Sequence, residues 1–478
     1  MKKIFTYIAL ATVAVLTACS DDDIAQSSSV TDSLDKYAVI GTMVSSAEFE
    51  EGPGDVARIS SKSQLYYDRI NNKLKFTWTT GDKIGIFPEG EDEEDKDNQF
   101  PFILDSATPL NVQDSYVTGV FEPFDKEAAY PIEVTKKYYS YFPFKAQTLE
   151  TGNFTYNAVP ISFEGQTQTT NEQMDYYWQA LYGGEAYKEA NKEAFLESEK
   201  AATAHLAAYD YMIADATSTA AAHVHLNYSH MASIVRFYMM TPVAADLGLF
   251  IDSLQVYNSD ANFTLDATMN IVEKTLTPTK TSHVVSLKFE PSIDMTNNSD
   301  DSKSTYHYWD RDYKTDGYIM AYMMLAPINL KQDAVGNSTL YMLARQPKYY
   351  TTAAEYNAYY GLKDGDVGYL ANDDALNALK QADKMKVYKD VDAYNAAKEP
   401  DITAEAFAAL PVDKKLIDPE RKTYAATLSK INFQAGKHHQ WIPNLNPDEP
   451  IKFQEITIQQ WQEGPGFTNE YGEGTADW

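Results

Sequence analysis

The sequence predicts a mainly β protein, built as two tandem β-sandwich domains with a helical insertion in each. Three observations carry that expectation. The 478 residues include 35 tyrosines and 21 phenylalanines, side chains that suit a pleated, half-buried surface. Short runs of alternating apolar and polar residues recur along the chain, bounded by turn-forming residues. Two islands of helical spacing interrupt the strands rather than separate domains.

Taken in order, Leu74-Lys75-Phe76-Thr77-Trp78 alternates, Thr79-Thr80-Gly81-Asp82 reads as a turn, and Ile84-Gly85-Ile86-Phe87 resumes, which predicts a hairpin. Tyr138 to Phe144 is an aromatic strand broken at Pro143. Val224, Leu226 and Tyr228 alternate with His223, His225 and Asn227, and Ile234 to Met239 follows as a buried strand. The second half adds Leu254 to Tyr257, the face Val285, Leu287 and Phe289, the apolar run Tyr318 to Leu325, and a short partner from Leu340 to Leu343. These divide into domains at 36–245 and 246–478.

The first island covers about 171–206, where Tyr187, Ala190 and Ala194 share a helical face and Glu185–Lys188 and Glu189–Lys192 pair at i,i+3. The second covers about 347–419 and breaks into short expected helices. One runs over 353–360 and stops at Gly361, one over 375–384 takes Asp373 as its N-cap, and one over 404–410 ends before Pro411. Loop ends of a sandwich are where binding surfaces are built; the same islands would equally cover a sheet edge.

Residues 1–18 have the anatomy of a secretory signal: Lys2 and Lys3, an apolar run from Ile4 to Leu16, then small residues. The apolar run is shorter than the about 20 residues a spanning helix needs. Leu16-Thr17-Ala18-Cys19 resembles a lipobox, which implies cleavage between Ala18 and Cys19 by signal peptidase II and lipidation of Cys19. Residues 19–35 form an acidic and Ser-rich linker. Its opening, Ser20-Asp21-Asp22-Asp23, resembles the surface-export signal of lipoproteins in anaerobic Gram-negative gut and mouth bacteria. The bland reading of the same stretch is a solvated linker.

Composition removes several function classes. A net charge of −29 opposes contact with a phosphate backbone, so nucleic acid is not an expected partner. Cys19 is the single cysteine, so no intrachain disulfide is available and stability must come from packing or subunit contacts. His223 and His225 share a strand face as half of a metal site, but no spaced third ligand accompanies them. His438 and His439 point to opposite faces of an extended chain. Asp364-Gly365-Asp366-Val367-Gly368 and the acidic run 92–97 lack the ligand order of a calcium loop. No nucleophile elbow, phosphate loop or Cys–His pair is present. The expectation is a non-enzyme without a cofactor.

Several elements carry a family resemblance in order along the chain. Phe76-Thr77-Trp78-Thr79-Thr80-Gly81-Asp82-Lys83-Ile84-Gly85-Ile86 is followed by Tyr138-Tyr139-Ser140-Tyr141-Phe142-Pro143, then Gln166-Thr167-Gln168 and Tyr209-Asp210-Tyr211-Met212-Ile213-Ala214. His230 to Phe237 follows, then Gly436-Lys437 and Ile456-Thr457-Ile458-Gln459-Gln460-Trp461. Together these resemble the fimbrillin family over residues 74–461. The resemblance implies tandem transthyretin-like β-sandwiches, delivered to the outer membrane surface as lipidated precursors. It also implies an arginine-specific cut that removes an N-terminal strand, and a strand from another subunit that fills the vacated groove.

Each part of that exchange has a candidate. Tyr37, Val39 and Met43 share one face of an apolar strand, followed by the loop sequence Glu50 to Asp55 and by Arg58, the first arginine. A cut after Arg58, or after the runner-up Arg69, would free the lipid with the strand. The donor candidate is the C-terminal stretch carrying Ile451, Phe453, Ile456, Ile458 and Trp461, whose apolar residues alternate in two sets with a one-residue slip. The same stretch reads equally well as the last strand of its own sandwich.

The expected function is a fimbrial subunit or fimbria-associated adhesin. Its partners would be other subunits in a homo- or hetero-polymer, the outer membrane through lipidated Cys19 before maturation, and a host or bacterial surface receptor. The alternative is a permanently anchored monomeric lipoprotein that binds glycans or host ligands. Metabolic labelling with a palmitate analogue is expected to mark the wild-type chain in cells and to leave Cys19→Ala unmarked; label retained by the variant would overturn the lipidation site.

Overall fold

The computed structural model describes residues 39–455, apart from 49–63, 91–98, 170–202, 295–316, 329–337, 429–437, 442–450 and shorter stretches. Among these residues the chain is mainly β, as its composition predicts. Its first half contributes β1 (Val39–Val44), β2 (Ser46–Glu48), β3 (Gln64–Asp68), β4 (Lys73–Thr77), β5 (Lys83–Pro88), β6 (Phe100–Ile103), β7 (Leu110–Gln113) and β8 (Tyr116–Pro123). These are followed by β9 (Lys137–Phe142), β10 (Val159–Ser162), β11 (Gln166–Thr169), β12 (Met212–Thr217), β13 (Val224–Asn227), β14 (Ser229–His230) and β15 (Ser233–Thr241). The second half adds β16 (Phe250–Asn258), β17 (Phe263–Asn270), β18 (Thr275–Ser282), β19 (Val284–Asp294) and β20 (Gly317–Leu325). Then come β21 (Ser338–Gln346), β22 (Glu420–Leu428), β23 (His438–Trp441), β24 (Ile451–Lys452) and β25 (Gln454–Glu455).

The largest sheet among the described residues runs β13-β1-β8-β6-β5-β9-β12-β14, with β7 also on β8. A second runs β11-β19-β16-β21-β22-β25, and a third runs β20-β15-β23 with β24 also on β15. Two small sheets, β10-β17-β18 and β2-β4-β3, complete the set. β10, β11 and β15 precede residue 245 yet pair with β17, β19 and β20, which follow it. One contiguous apolar cluster accordingly extends from Trp78 to Ala426.

The hairpin expected over 74–87 is a corner between sheets instead. β4 pairs with β2 and β3, whereas β5 pairs with β6 and β9. The turn closes on itself, with the Asp82 amide donating to the Thr79 carbonyl at 3.0 Å and the Thr79 amide to Asp82 Oδ2 at 2.8 Å. Gly81, at φ +94°, turns its amide to the Leu104 carbonyl (2.9 Å), and the Leu104 amide returns a bond to the Asp82 carbonyl (2.9 Å). The turn's hydrogen bonds therefore go to the chain leaving β6, and a β4–β5 ladder has no place. Trp78 leaves β4 at this corner and enters the core, edge-on to Phe121, Phe142 and Tyr228 at 4.9, 5.6 and 5.8 Å.

The Ile84-Gly85-Ile86 run has a steric cause. Gly85 lies opposite Tyr141 in the β5–β9 register, and a Cβ on Gly85 would sit 2.2 Å from Tyr141 Cε1. The ring cannot swing away easily, because its hydroxyl donates to Gln99 Oε1 (2.7 Å) and accepts from the Lys145 amide (3.1 Å). Only glycine lets the buried aromatic lie across the strand.

The second island is helical in short pieces. Ala353–Tyr360 is capped by Thr352, whose side chain accepts from the Glu355 amide, and it stops at left-handed Gly361, the stop its sequence predicts. The next helix begins earlier and is shorter than expected, at Asp373–Ala378, and its cap is Asn372 rather than Asp373. Asp373 is diverted by tertiary structure: its carboxylate accepts from the Ala353 amide at 2.7 Å and ties the two helices together. Val391–Asn395 and Ala404–Ala409 follow, capped by Asp390 and Thr403. The helix expected in the first island lies outside the described residues, apart from a 3-10 turn at Ala204–Ala208.

Gly85→Ala is expected to destabilise the protein by about 1–3 kcal/mol through overpacking, read as a lowered midpoint in chemical denaturation. An unchanged midpoint would show that the Tyr141 ring yields freely.

Candidate functional site

β1 is an interior strand. It runs antiparallel to β8 from Val39 opposite Phe121 to Val44 opposite Tyr116, and parallel to β13 from Val39 opposite Val224 to Thr42 opposite Asn227. Taking β1 away would leave the facing backbone groups of β8 and β13 unpaired, an open groove one strand wide. The neighbouring core is well packed: Phe121, Val224 and Leu226 are fully buried. At Gly119, opposite Gly41, an added Cβ would come within 3.0 Å of Trp78 Cδ1. The Trp78 corner therefore supports the strand that would form one wall of the groove.

Val39 and Met43 lie within β1. Tyr37, Arg58, Arg69, Ala18 and Cys19 lie outside the described residues. Of the candidate donor segment, Ile451 lies in β24 and pairs with Met239, while β25 pairs with β22 through Gln454 and Glu455. The segment thus changes sheets between Lys452 and Gln454. Phe453, Ile456, Ile458 and Trp461 lie outside the described residues.

His223 and His225 flank Val224, which points into the core, and His225 sits opposite Ile40 of β1. The His223 amide donates to Thr219 Oγ1 at 3.2 Å. His438 and His439 fall on β23, in parallel register with Ile234 and Val235. Asp366 accepts the Lys363 amide at 2.7 Å and so closes its own turn; the acidic run 92–97 lies outside the described residues. Among the described residues no group of three or more His, Cys, Asp or Glu side chains gathers at metal-binding distance.

The Gln166-Thr167-Gln168 element acquires a physical role. The β11 backbone pairs with β19, while its two glutamine side chains reach the edge of β20 in another sheet. The Met324 amide donates to Gln166 Oε1 at 2.7 Å, and Gln166 Nε2 donates to the Met324 carbonyl at 2.6 Å. The Tyr322 amide donates to Gln168 Oε1 at 2.9 Å, and His205 Nε2 meets the Tyr322 carbonyl at 2.8 Å. Side-chain amides here imitate a neighbouring strand and satisfy an otherwise open edge. Nearby, the buried Asp210 carboxylate is hydrogen-bonded to His230 Nδ1, tying the chain entering β12 to β14.

A cluster that sequence reading missed fastens the second island to the sheet. The β16 register shifts between Ile251 and Ser253 against both β19 and β21. This bulge presents Asp252 to Arg345 of β21, whose Nε and Nη2 donate to the two carboxylate oxygens at 2.8 and 2.7 Å. Arg345 also reaches Asp413, at its carbonyl (2.7 Å) and at Oδ2 (3.0 Å). Ser292 joins through a hydrogen bond to Asp413 Oδ2 at 3.1 Å. Burial works against the guanidinium charge, but Asp252 and Asp413 more than offset it and hold its pKa above the ordinary value. A buried guanidinium facing two carboxylates is a structural lock, not a reactive centre. The sequence signal was slight, an arginine ending an apolar strand, with nothing local to name its partners.

No family model matches the sequence, and no curated protein sequence matches it. Solved structures to which the chain is similar include a candidate cell adhesion protein from Bacteroides fragilis, 9% identical with a TM-score of 0.31, covering 90% of this chain and 99% of that one. A fimbrilin from Porphyromonas gingivalis is 9% identical with a TM-score of 0.25, covering 89% of this chain and all (100%) of that one. A fimbrial protein from Bacteroides vulgatus is 13% identical with a TM-score of 0.23, covering 56% of this chain and 78% of that one. The structural neighbours are thus fimbrial and cell-adhesion proteins.

Arg345→Ala would strand two carboxylates at a buried site, so a loss of about 3–5 kcal/mol is expected. Limited proteolysis should then cut first between residues 347 and 419. Unchanged stability together with an unchanged cutting pattern would contradict the lock.

Proposed function

We propose that the chain is a cell-surface fimbrial subunit or fimbria-associated adhesin that assembles by strand exchange. One observation carries this reading: the N-terminal strand β1 lies between β8 and β13 rather than at an edge, and a Gly- and Pro-containing loop sequence and Arg58 follow it. A strand in that position is integral to its sheet, yet it belongs to a segment that a single cut would sever. In this reading the chain is exported as a lipoprotein through Cys19. A cut after Arg58, or after Arg69, then frees lipid and strand together, and a strand of another subunit enters the groove.

Energetics support the exchange. An incoming strand would restore the ladder along the six residues of β1. Burying four of the apolar side chains among Ile451, Phe453, Ile456, Ile458 and Trp461 would contribute roughly 6–12 kcal/mol gross. Among the described residues the same segment makes two-residue ladders within its own chain, on β15 and on β22, and donating it would give those up. The two sandwich halves, 36–245 and 246–478, would travel as one body because β10, β11 and β15 pair across that division. The reading is non-enzymatic, with other subunits, the outer membrane and a surface receptor as partners. An anchored monomeric binder is the second reading, in which the uncut chain keeps β1 between β8 and β13.

Incubating the purified precursor with a trypsin-like protease tests the proposal. A ladder of oligomers that survives detergent, with Ile59 as the new N-terminus, is expected. A product trimmed at Arg58 that stays monomeric at high concentration would sink strand exchange and leave the anchored binder.

A further inference from the structure

Gly41 and Gly119 face each other in the β1–β8 ladder. Glycine weakens the interior of a strand and marks places where something approaches the backbone closely. Two glycines in one rung therefore ask for a cause, and the cause is Trp78. A Cβ on Gly119 would lie 3.0 Å from Trp78 Cδ1, 3.1 Å from Leu104 Cδ1 and 3.2 Å from Phe121 Cε2. All three of those side chains are buried, so making room there means repacking the core.

The indole reaches the strands on both sides of β1. Its ring stands edge-on to Phe121 of β8 at 4.9 Å on one side. On the other it stands edge-on to Tyr228, the residue that follows β13, at 5.8 Å. Phe142 of β9 meets it at 5.6 Å, and the Tyr228 hydroxyl is hydrogen-bonded to Ser140 of the same strand at 2.7 Å. The ring is thus held across the floor of the position that β1 fills. Residues opposite each other in a ladder share a face of the sheet. Gly41 therefore lies on the face of Trp78, between Gly119 in one register and Leu226 in the other. Along the sequence Val39, Gly41 and Met43 alternate, so the strand reads apolar, empty, apolar.

We propose that Trp78 and Gly119 make the centre of this position a size filter, which holds a strand with glycine opposite Gly119 in preference to one with a larger residue there. For β1 the filter fixes the register. A slip of two residues would bring Val39 or Met43 opposite Gly119, and a slip of one would exchange the two faces of the strand. For an incoming strand, a consequence that rests on the strand-exchange reading, the filter describes the partner: an extended segment with apolar, glycine and apolar residues at alternate positions. The stretch Ile451 to Trp461 has no glycine, and Thr457 is its smallest side chain. A strand from a different subunit that carries glycine there is favoured over it.

The first test uses the uncut full chain and does not depend on exchange. Gly41→Leu is expected to lower the midpoint of chemical denaturation well below that of Gly41→Ala. The penalty should shrink when Trp78→Leu is added, because the smaller side chain makes room. Equal penalties for Gly41→Leu with and without Trp78→Leu would overturn the filter.

The second test uses wild-type precursor, so it stands even if those variants fail to fold. A peptide of residues 37–46 is present while a trypsin-like protease cuts the precursor. It should suppress the oligomer ladder at about one-tenth the concentration required of the same peptide carrying Gly41→Leu. Equal potency of the two peptides would also count against the filter. Coupling between positions 41 and 78 in the uncut chain, with no ladder or no effect of either peptide, would sink strand exchange and leave the filter standing as the pin that sets β1 in register.

Discussion

Satisfying backbone hydrogen bonds where sheets end is the constraint on which this structure depends. An unpaired edge either recruits another chain or must be covered. β20 is covered by Gln166 and Gln168, whose amides reproduce a strand's donors and acceptors. Among the described residues β18 ends its sheet, and its composition makes it unattractive. Its residues Thr275–Ser282 are mostly exposed, Pro278 removes a donor, and Lys280 holds Glu164 at 2.7 Å. β13 is different again, because β1 is its ladder neighbour in the sheet order. The chain thus closes one edge with side chains, blunts another with composition, and fills a third position with its own N-terminal strand.

Much of the fold was legible because it rests on local pattern. The alternation of Val224, Leu226 and Tyr228 against His223, His225 and Asn227 set the buried face of β13, and all three apolar side chains are buried. Gly361 marked the end of the 353–360 helix by cap chemistry alone. The errors arose where tertiary contacts overrode equally good local signals. Thr79-Thr80-Gly81-Asp82 does turn the chain, but the partner of the turn is Leu104, twenty-odd residues on, which no local pattern announces. Asp373 is a fair cap residue by type, yet it is claimed by the Ala353 amide and leaves the capping to Asn372.

The candidate sites divide in the same way. β1 was legible as an apolar strand before a loop, but its interior position follows from long-range pairing with β8 and β13. Gln166 and Gln168 were visible as a motif without a reason, and the reason lies more than 150 residues away in β20. The Arg345 cluster was invisible because it rests on a bulge at Asp252, and a register shift leaves no mark on composition or period.

The placement of β1 also has a mechanical consequence. A strand held between an antiparallel and a parallel neighbour has ladder bonds running across its axis on both sides. Tension applied along that axis loads those bonds together, in shear, instead of opening them one after another as peeling would. Whatever strand occupies the position between β8 and β13, a pull along its length meets the groove in its strongest direction.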